Sequence, residues 1–185
     1  ISFSISVKKS LDENAPLTSI KAVFDPSDTI EDTCKRVEEL IERAKDHKRE
    51  TESEKEMRFV TKLPIFFIRW LVALQRMVDW FGLLPRLMTR NDPLYSSAYV
   101  VNLGSVGLEA AYHHLYEYGN IPFFIVLGKV KKAPVVGDDG ELSVREVVNI
   151  RYTFDERITD GFYTSTALER FREYIENPKL LDGPP

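Results

Sequence analysis

The chain has few of the residues that build metal sites and disulfides. It contains one cysteine, Cys34, and three histidines, His47, His113 and His114. One cysteine forms no disulfide within the chain, and structural zinc needs four nitrogen or sulfur ligands at close spacing. No metal is therefore predicted. Because free thiols are typical of the reducing cytosol, we expect a cytoplasmic protein.

An excess of positive charge is also missing. Acidic residues, 29 in number, outnumber the 25 basic ones, so the net charge is −4. Without a basic footprint, nucleic acid is not an expected partner. Apolar residues make up 43% of the 185 residues, which is typical of one soluble domain with a full core. Because Ile1 is not an initiator methionine, we expect the sequence to start inside a longer polypeptide and to lack an N-terminal part.

Strands and a helix are predicted in the first quarter of the chain. Period-two alternation in ISFSISVK and LTSIKAVF predicts two half-buried strands, the first with its odd-numbered residues facing the core. An amphipathic helix of about four turns follows, with Ser27, Asp28 and Thr29 competing for its N-cap. Cys34 lies on the apolar face of this helix, where it is predicted to be a small core residue.

The second half of the chain returns to strands and closes with a helix. Strand patterns are present in YSSAYVVN, PFFIVLGKV and ELSVREVVNIRYTF, and GDDG predicts a hairpin turn before the last of them. The closing helix is predicted to begin near Thr164 and to stop before Pro178.

The most hydrophobic stretch, residues 63–88, is nearly as long as a membrane span. Its polar residues, Arg69, Gln75, Arg76 and Asp79, fall within a helical sector of about 120°. A spanning helix would not carry two arginines and an aspartate through its middle. The pattern predicts an amphipathic helix that ends near Gly82 and packs on the core or on a neighbouring subunit; the alternative is a membrane-surface anchor.

Few residues indicate a reaction by themselves. The segment NLGSVG lacks the third glycine and the lysine of phosphate-binding loops, and no G-x-S-x-G elbow is present. Adjacent His113 and His114 point different ways in either regular structure, which is typical of surface or loop residues.

The turn TFDERITDG, between the last strand and the closing helix, carries the strongest signal. Read with the following FYTSTALERFREYIENPKLL, it resembles the C-terminal segment of the catalytic domain of dihydrolipoyl acyltransferases, the transferase component of 2-oxoacid dehydrogenase complexes, which is related in fold to chloramphenicol acetyltransferase. In that family the turn reads D-H-R-x-x-D-G. Asp155, Arg157, Asp160 and Gly161 fit this pattern.

Three further segments are similar to family counterparts. They are the first 48 residues, the segment YVVNLGSVG, which resembles the family's T-I-S-N-L-G turn, and the proline-led IPFFIVLGKVKKAPVV. The resemblance implies a single catalytic domain over residues 1–185, with residues 50–94 as a helical insert. It also implies a two-layer α/β sandwich of the chloramphenicol acetyltransferase type, with a mixed sheet and covering helices, and a homotrimer with clefts between subunits.

Two departures bear on catalysis. Glu156 stands where the family has its catalytic histidine, the general base for the thiol of coenzyme A or dihydrolipoamide; the resemblance gives Asp160 an architectural role in the site. Proton transfer from a thiol near pKa 8.5 to an ordinary glutamate costs roughly 3 kcal/mol more than transfer to histidine, which slows the reaction over a hundredfold unless burial makes the carboxylate more basic.

The second departure concerns the hydroxyl that stabilises the tetrahedral oxyanion. Aligning Asn102 with the family's N-L-G places Tyr99 and Val101 where threonine and serine stand. The donor is therefore lost or comes from another hydroxyl. The candidates are those of Tyr99, Ser96, Ser97 and Ser105.

These observations leave three functions open. The first is an acyltransferase with altered base chemistry, acting on a coenzyme A thioester and a lipoyl-type thiol. The second is a catalytically silent structural or regulatory assembly unit. The third is a module that binds acyl chains or a membrane surface through the hydrophobic stretch.

Overall fold

A computed structural model describes residues 1–10, 12, 17–46, 62–137 and 139–181. In chain order the elements are β1 (Ser2–Lys8), β2 (Leu17–Val23), α1 (Ile30–Lys45), α2 (Ile65–Trp80), α3 (Arg86–Arg90), β3 (Ala98–Asn102), a 3-10 turn (Leu103–Val106), β4 (Phe123–Val136), β5 (Leu142–Phe154), α4 (Gly161–Glu176) and a second 3-10 turn (Pro178–Leu181).

The five strands form one mixed sheet in the order β2-β1-β3-β4-β5. The outer pairs, β1 with β2 and β4 with β5, are antiparallel, whereas β1 with β3 and β3 with β4 are parallel. The parallel pairs require crossovers, which place the chain between strands on the faces of the sheet. The predicted α/β architecture with a mixed sheet is confirmed.

One face of the sheet is covered by α1. The helix begins at a capping box in which Thr29 accepts from the Asp32 amide and the Asp32 carboxylate accepts from the Thr29 amide, which settles the choice among the three predicted caps. Its last two turns pack Ala44 against Val7 and Ile20. Cys34 was predicted to be a core residue and is exposed, because the helix contacts the strands through its C-terminal half.

The opposite face carries the second core cluster. Tyr99, Phe124 and Val126 are buried there beneath the irregular chain that leads to β4. On β1 the prediction of an inward odd-numbered face is only partly correct, because Phe3 is exposed and Ser4 is fully buried. The Ser4 hydroxyl donates to the Pro93 carbonyl at 2.5 Å, which satisfies its polar atom beneath the covering chain.

Strands β4 and β5 extend beyond the rest of the sheet as a two-stranded arm. The predicted hairpin is confirmed by the pairing of Val136 with Leu142 across its turn. A register shift between Leu127 and Val130 separates the arm from the part of β4 that pairs with β3. Apolar side chains are exposed along the arm, among them Val144. A lone hairpin gains little from this apolar surface, so the arm is suited to contact with another chain.

Helix α2 ends at Trp80 and turns at Gly82, as predicted. None of its side chains is buried, so it does not pack on the core; packing on a neighbouring subunit stays a prediction. Its polar side chains Gln75 and Asp79 face the domain. Gln75 donates to the Tyr118 hydroxyl, and the Asp79 carboxylate accepts from the Tyr95 hydroxyl. Its aromatic side chains point outward. Among the described residues, no helix is long and apolar enough to cross a membrane.

Candidate active site

The turn between β5 and α4 is organised by one ion pair. The Arg157 guanidinium donates to both carboxylate oxygens of Asp155, at 2.9 Å and 3.0 Å from Nε, and the Arg157 amide donates to the same side chain at 3.0 Å. These hydrogen bonds, chiefly from the Arg157 side chain, lower the pKa of Asp155 to about 2. The Asp155 amide also donates to the Pro122 carbonyl, which anchors the turn beside the start of β4.

Asp160 caps the closing helix. Its carboxylate accepts from the Tyr163 amide at 2.8 Å, and the buried Thr164 hydroxyl donates to the Asp160 carbonyl. The helix therefore begins at Gly161, three residues before the predicted start. Asp160 forms no ion pair with an arginine among the described residues, so a backbone amide is the partner that the structure gives it.

Glu156 lies at the exposed tip of the same turn. It forms no hydrogen bond or ion pair with any residue that the structure describes. The described part of this chain therefore leaves the Glu156 carboxylate open to solvent.

Beside the turn is an open cleft of about 620 Å³. One wall comes from α2, a second from the chain that precedes β4, and a third from the turn itself. Asp155 and Arg157 line the cleft, whereas Glu156 does not. The lining side chains with polar groups are Gln75, Arg76, Asp79, Tyr95, Tyr116, Glu117, Tyr118, Asn120, Asp155 and Arg157.

Two tyrosines join α2 to the domain at the back of this cleft. The Tyr95 hydroxyl donates to the Asp79 carboxylate at 3.2 Å, and Gln75 donates to the Tyr118 hydroxyl. The two tyrosine rings meet edge to face with centroids 5.9 Å apart. Burial is the main cause that raises the pKa of both hydroxyls, and the Asp79 carboxylate raises that of Tyr95 further. Both tyrosines are therefore neutral donors at physiological pH.

Each hydroxyl proposed as an oxyanion donor forms a hydrogen bond away from the cleft, but only Ser96 and Ser105 are seen to use their hydrogen in it. Tyr99 shares a 2.5 Å hydrogen bond with the Ser19 hydroxyl inside the domain. The buried Ser96 hydroxyl donates to the Ala98 carbonyl, and the Ser105 hydroxyl donates to the Asn102 carbonyl. Ser97 accepts from the Ser2 amide. None of these four side chains lines the cleft.

The prediction that His113 and His114 are surface or loop residues is confirmed, although their rings do not point different ways. Both residues lie in irregular chain, and their rings stack with centroids 5.1 Å apart. The His113 ring also lies parallel to Phe124 at 4.0 Å, so His113 is part of the aromatic packing over the sheet.

The N-L-G segment forms a tight 3-10 turn at the end of β3. The Asn102 carboxamide oxygen accepts from the Ser105 amide at 3.1 Å, and Gly107 ends the turn in the left-handed conformation. This turn lies beside β4, where Gly104 and Gly128 approach each other closely.

Sequence reasoning missed the tyrosines and the α2 side chains that line the cleft. The tyrosines at positions 116 and 118 gave a weak signal, since alternate polar aromatics in AYHHLYEYG suggest one lined face. Nothing local marked Asp79 or Gln75 as inward-facing, because the rule that apolar faces turn inward predicts the opposite orientation. No group of three His, Cys, Asp or Glu side chains within the described ranges is arranged to hold a metal ion.

The profile of the 2-oxoacid dehydrogenases acyltransferase (catalytic domain) family matches residues 88–182, more than half of the chain, and the chain belongs to that family. It is also 26% identical over 94 residues to the mitochondrial lipoamide acyltransferase component of the branched-chain alpha-keto acid dehydrogenase complex of Bos taurus. That alignment covers 51% of this chain and 19% of the bovine protein.

Solved structures show the same fold. The probable dihydrolipoamide acetyltransferase of Listeria monocytogenes 4b F2365 aligns with 95% of this chain, at a TM-score of 0.58 and 16% identity. The dihydrolipoamide acetyltransferase of Azotobacter vinelandii, in whose catalytic mechanism a serine, a histidine and an asparagine have been investigated, and the cubic core of the pyruvate dehydrogenase multienzyme complex each align with 98%, at TM-scores of 0.58 and 12% identity. In all three cases the chain spans 56% of the solved chain.

Proposed function

We propose that this domain transfers an acyl group between the thiol of coenzyme A and a dihydrolipoyl-type thiol, at a rate far below that of a histidine-based enzyme, with Glu156 as the base. The observation that carries the proposal is the position of Glu156 in the turn between the Asp155–Arg157 pair and the helix cap Asp160. The investigated histidine and asparagine of the Azotobacter enzyme are four residues apart, and so are Glu156 and Asp160.

The proposed step is a proton transfer coupled to attack on a thioester. Glu156 takes the proton of the acceptor thiol, and the thiolate attacks the acyl carbonyl carbon to form a tetrahedral oxyanion. The oxyanion collapses, the carbon–sulfur bond to the donor breaks, and the donor thiolate takes the proton back from Glu156. Acyl group and proton thus exchange places, and no oxidant, reductant or metal is needed.

Two features of the chain support a slow rate. Glu156 is exposed, and a carboxylate is a weaker base for a thiol than the imidazole of histidine is. None of the four hydroxyls that would stabilise the oxyanion lines the cleft, and those of Ser96 and Ser105 donate to carbonyls within the chain. An absent oxyanion donor costs about 3 to 4 kcal/mol of transition-state stabilisation in enzymes that use one.

We further propose that the working unit is a homotrimer with the cleft between subunits. The projecting β4–β5 arm exposes Val130, Val136, Leu142 and Val144, and a neighbouring chain would cover them. A structure with the same fold is the core of a multienzyme complex, which agrees with an assembling domain. A neighbouring chain would also change the surroundings of Glu156.

The second candidate is a catalytically silent assembly unit. It is favoured by the positions of Tyr99, Ser96, Ser97 and Ser105, which lie outside the cleft, because a site without an oxyanion donor binds substrate without accelerating its reaction. In this case the fold and the trimer are retained and transfer is absent.

The two candidates are separated by assaying acetyl transfer from acetyl-coenzyme A to dihydrolipoamide in the native protein and in Glu156→Gln. If Glu156 is the base, slow native transfer falls by roughly a hundredfold in the variant, since the amide accepts no proton at this pH. The matched control is Glu141→Gln, an exposed substitution at the tip of the β4–β5 hairpin, which should leave the rate unchanged. Equal rates in all three proteins would favour the silent unit.

A further inference from the structure

Helix α2 contacts the domain through its polar side and exposes its apolar side, which is the reverse of a helix that completes a hydrophobic core. Its hydrogen-bonding side chains Gln75 and Asp79 face the domain, whereas its outer stripe is apolar and aromatic. The two tryptophans of the chain both lie in this stripe, Trp70 with 58% and Trp80 with 87% of its surface exposed. Exposed tryptophans on one helix stripe indicate a surface that is covered by something outside the described residues.

The apolar surface continues past the end of α2. Phe81 and Leu83 follow in the turn, and the short helix α3 adds Met88 and Leu87, the latter 83% exposed. The outward residues of 65–88 thus form one continuous stretch of sequence, which we name the aromatic flank.

The charge of the same segment is opposite to that of the protein. Residues 62–90 contain five basic residues and a single acidic one, Asp79, while the whole chain has more acidic than basic residues. Asp79 faces the domain, so the outward charge of the segment is entirely positive. Four arginines carry most of it, and none of them forms an ion pair with a described residue. Arg69, Arg86 and Arg90 lie away from the candidate active site, whereas Arg76 also lines its cleft.

Arg86 and Arg90 are gathered at one place. Together with Lys21 they line an open pocket of about 520 Å³ whose rim includes Leu87. Lys21 is anchored there by donating to the Thr89 carbonyl at 2.9 Å. Three cations beside an exposed leucine suit a ligand with an anionic head and an apolar body.

From these observations we infer that the aromatic flank docks the domain onto the surface of a bilayer that contains anionic phospholipids. Tryptophan and phenylalanine side chains enter the interface between headgroups and acyl chains, and the arginines at the edge meet lipid phosphates. The helix lies in the plane of the membrane, because the domain is attached along its inner side through Gln75 and Asp79.

A second copy of the chain fits the flank less well. A symmetric contact of flank on flank would place like-charged arginines against one another, which opposes association. An anionic bilayer supplies the negative charge over the whole length of the flank. This inference is independent of acyl transfer, since none of its steps involves Glu156.

Tryptophan fluorescence tests the inference directly, because both tryptophans report on the flank. The native protein is mixed with phosphatidylcholine vesicles, with or without phosphatidylglycerol, and emission and co-sedimentation are measured. We expect emission typical of hydrated indole without vesicles, a blue shift and pelleting with phosphatidylglycerol vesicles, and weaker binding as salt is raised. Inorganic phosphate at matched concentration should produce no shift, which separates a bilayer from a free anion.

Two variants and one control sharpen the result. Trp70→Ser combined with Trp80→Ser should weaken pelleting roughly tenfold or more. Arg86→Gln combined with Arg90→Gln should weaken pelleting roughly fivefold per arginine. This loss should be seen only with vesicles that contain the anionic lipid. Phe162→Ser, which removes an aromatic side chain that is 85% exposed on α4, should pellet like the native protein.

Two outcomes would overturn the inference. The first is emission that is already blue-shifted without lipid and red-shifts when the protein dissociates on dilution, because another copy would then cover the flank. The second is native protein that stays in the supernatant with phosphatidylglycerol vesicles at low salt.

Discussion

The backbone of Gly104 lies against the backbone of Gly128, so closely that a Cβ atom at position 104 would be 2.6 Å from the Gly128 carbonyl oxygen. This contact fixes the turn after β3 beside β4. Gly104→Ala should therefore destabilise the domain by about 1 to 3 kcal/mol, because backbone atoms must move to admit the methyl group. Thermal unfolding should show this as a melting temperature lower by roughly 2 to 4 °C for each kcal/mol.

Gly161→Ala is the matched control for this prediction. Gly161 begins α4 and has no positive φ, and a Cβ atom added to it would meet no other described atom within 4 Å, so alanine fits there and favours the helix. Its melting temperature should be unchanged or higher. An equal loss in both variants would mean that the Gly104 contact is not the cause.

Sequence patterns predicted the elements better than their surroundings. The strand pattern of β5, the cap candidates before α1 and the hairpin before β5 depend on local physics, and the structure has all three. The errors concern what covers each element. Ser4 is buried and Phe3 exposed because chain 89 residues away packs over the polar side of β1, and no local pattern reports such a contact.

The same distinction applies to the site. The turn that carries Asp155, Arg157 and Asp160 was found because its spacing resembles a family motif. The cleft beside it was not found, since Tyr95 and Asp79 are brought together by the docking of α2 against its hydrophobic pattern.

The cap formed by Asp160 gives a second prediction. Asp160→Ala should lower stability by about 1 kcal/mol, whereas Asp160→Asn should melt close to the native protein, because asparagine caps helices as well as aspartate does. Calorimetry of the two variants checks this. An equal loss in both variants would contradict the capping role and show that Asp160 acts through its charge.

A third prediction concerns acid. The pKa of Asp155 is lowered to about 2 by its hydrogen bonds with Arg157, so the folded state binds fewer protons there than the unfolded chain. The stabilisation of the folded state by the Asp155–Arg157 pair is therefore complete above about pH 4 and is lost as the pH falls toward 2. Asp155→Asn should flatten this part of the curve of melting temperature against pH, while Glu156→Gln, which removes no described partner, should keep it. A native curve that is flat over this range would contradict the ion pair.

The exposed β4–β5 arm predicts assembly. Light scattering should report a trimer or a multiple of it, and Val144→Glu should lower the measured mass because a carboxylate enters the contact that the arm makes. Lys132→Gln, a polar change on the same arm, should leave the mass unchanged. A native monomer at all concentrations would remove the basis for a site between subunits.

The central proposal is that Glu156 is the base of the site and that it makes acyl transfer slower than in a histidine-based enzyme. The most direct measurement is acetyl transfer from acetyl-coenzyme A to dihydrolipoamide by the native protein, by Glu156→His, and by Glu156→His combined with Val101→Ser. We predict slow native transfer, a gain of up to about a hundredfold with histidine, and a further gain with serine that falls short of additive. Fast native transfer that histidine leaves unchanged would contradict the assignment of Glu156 as a weak base.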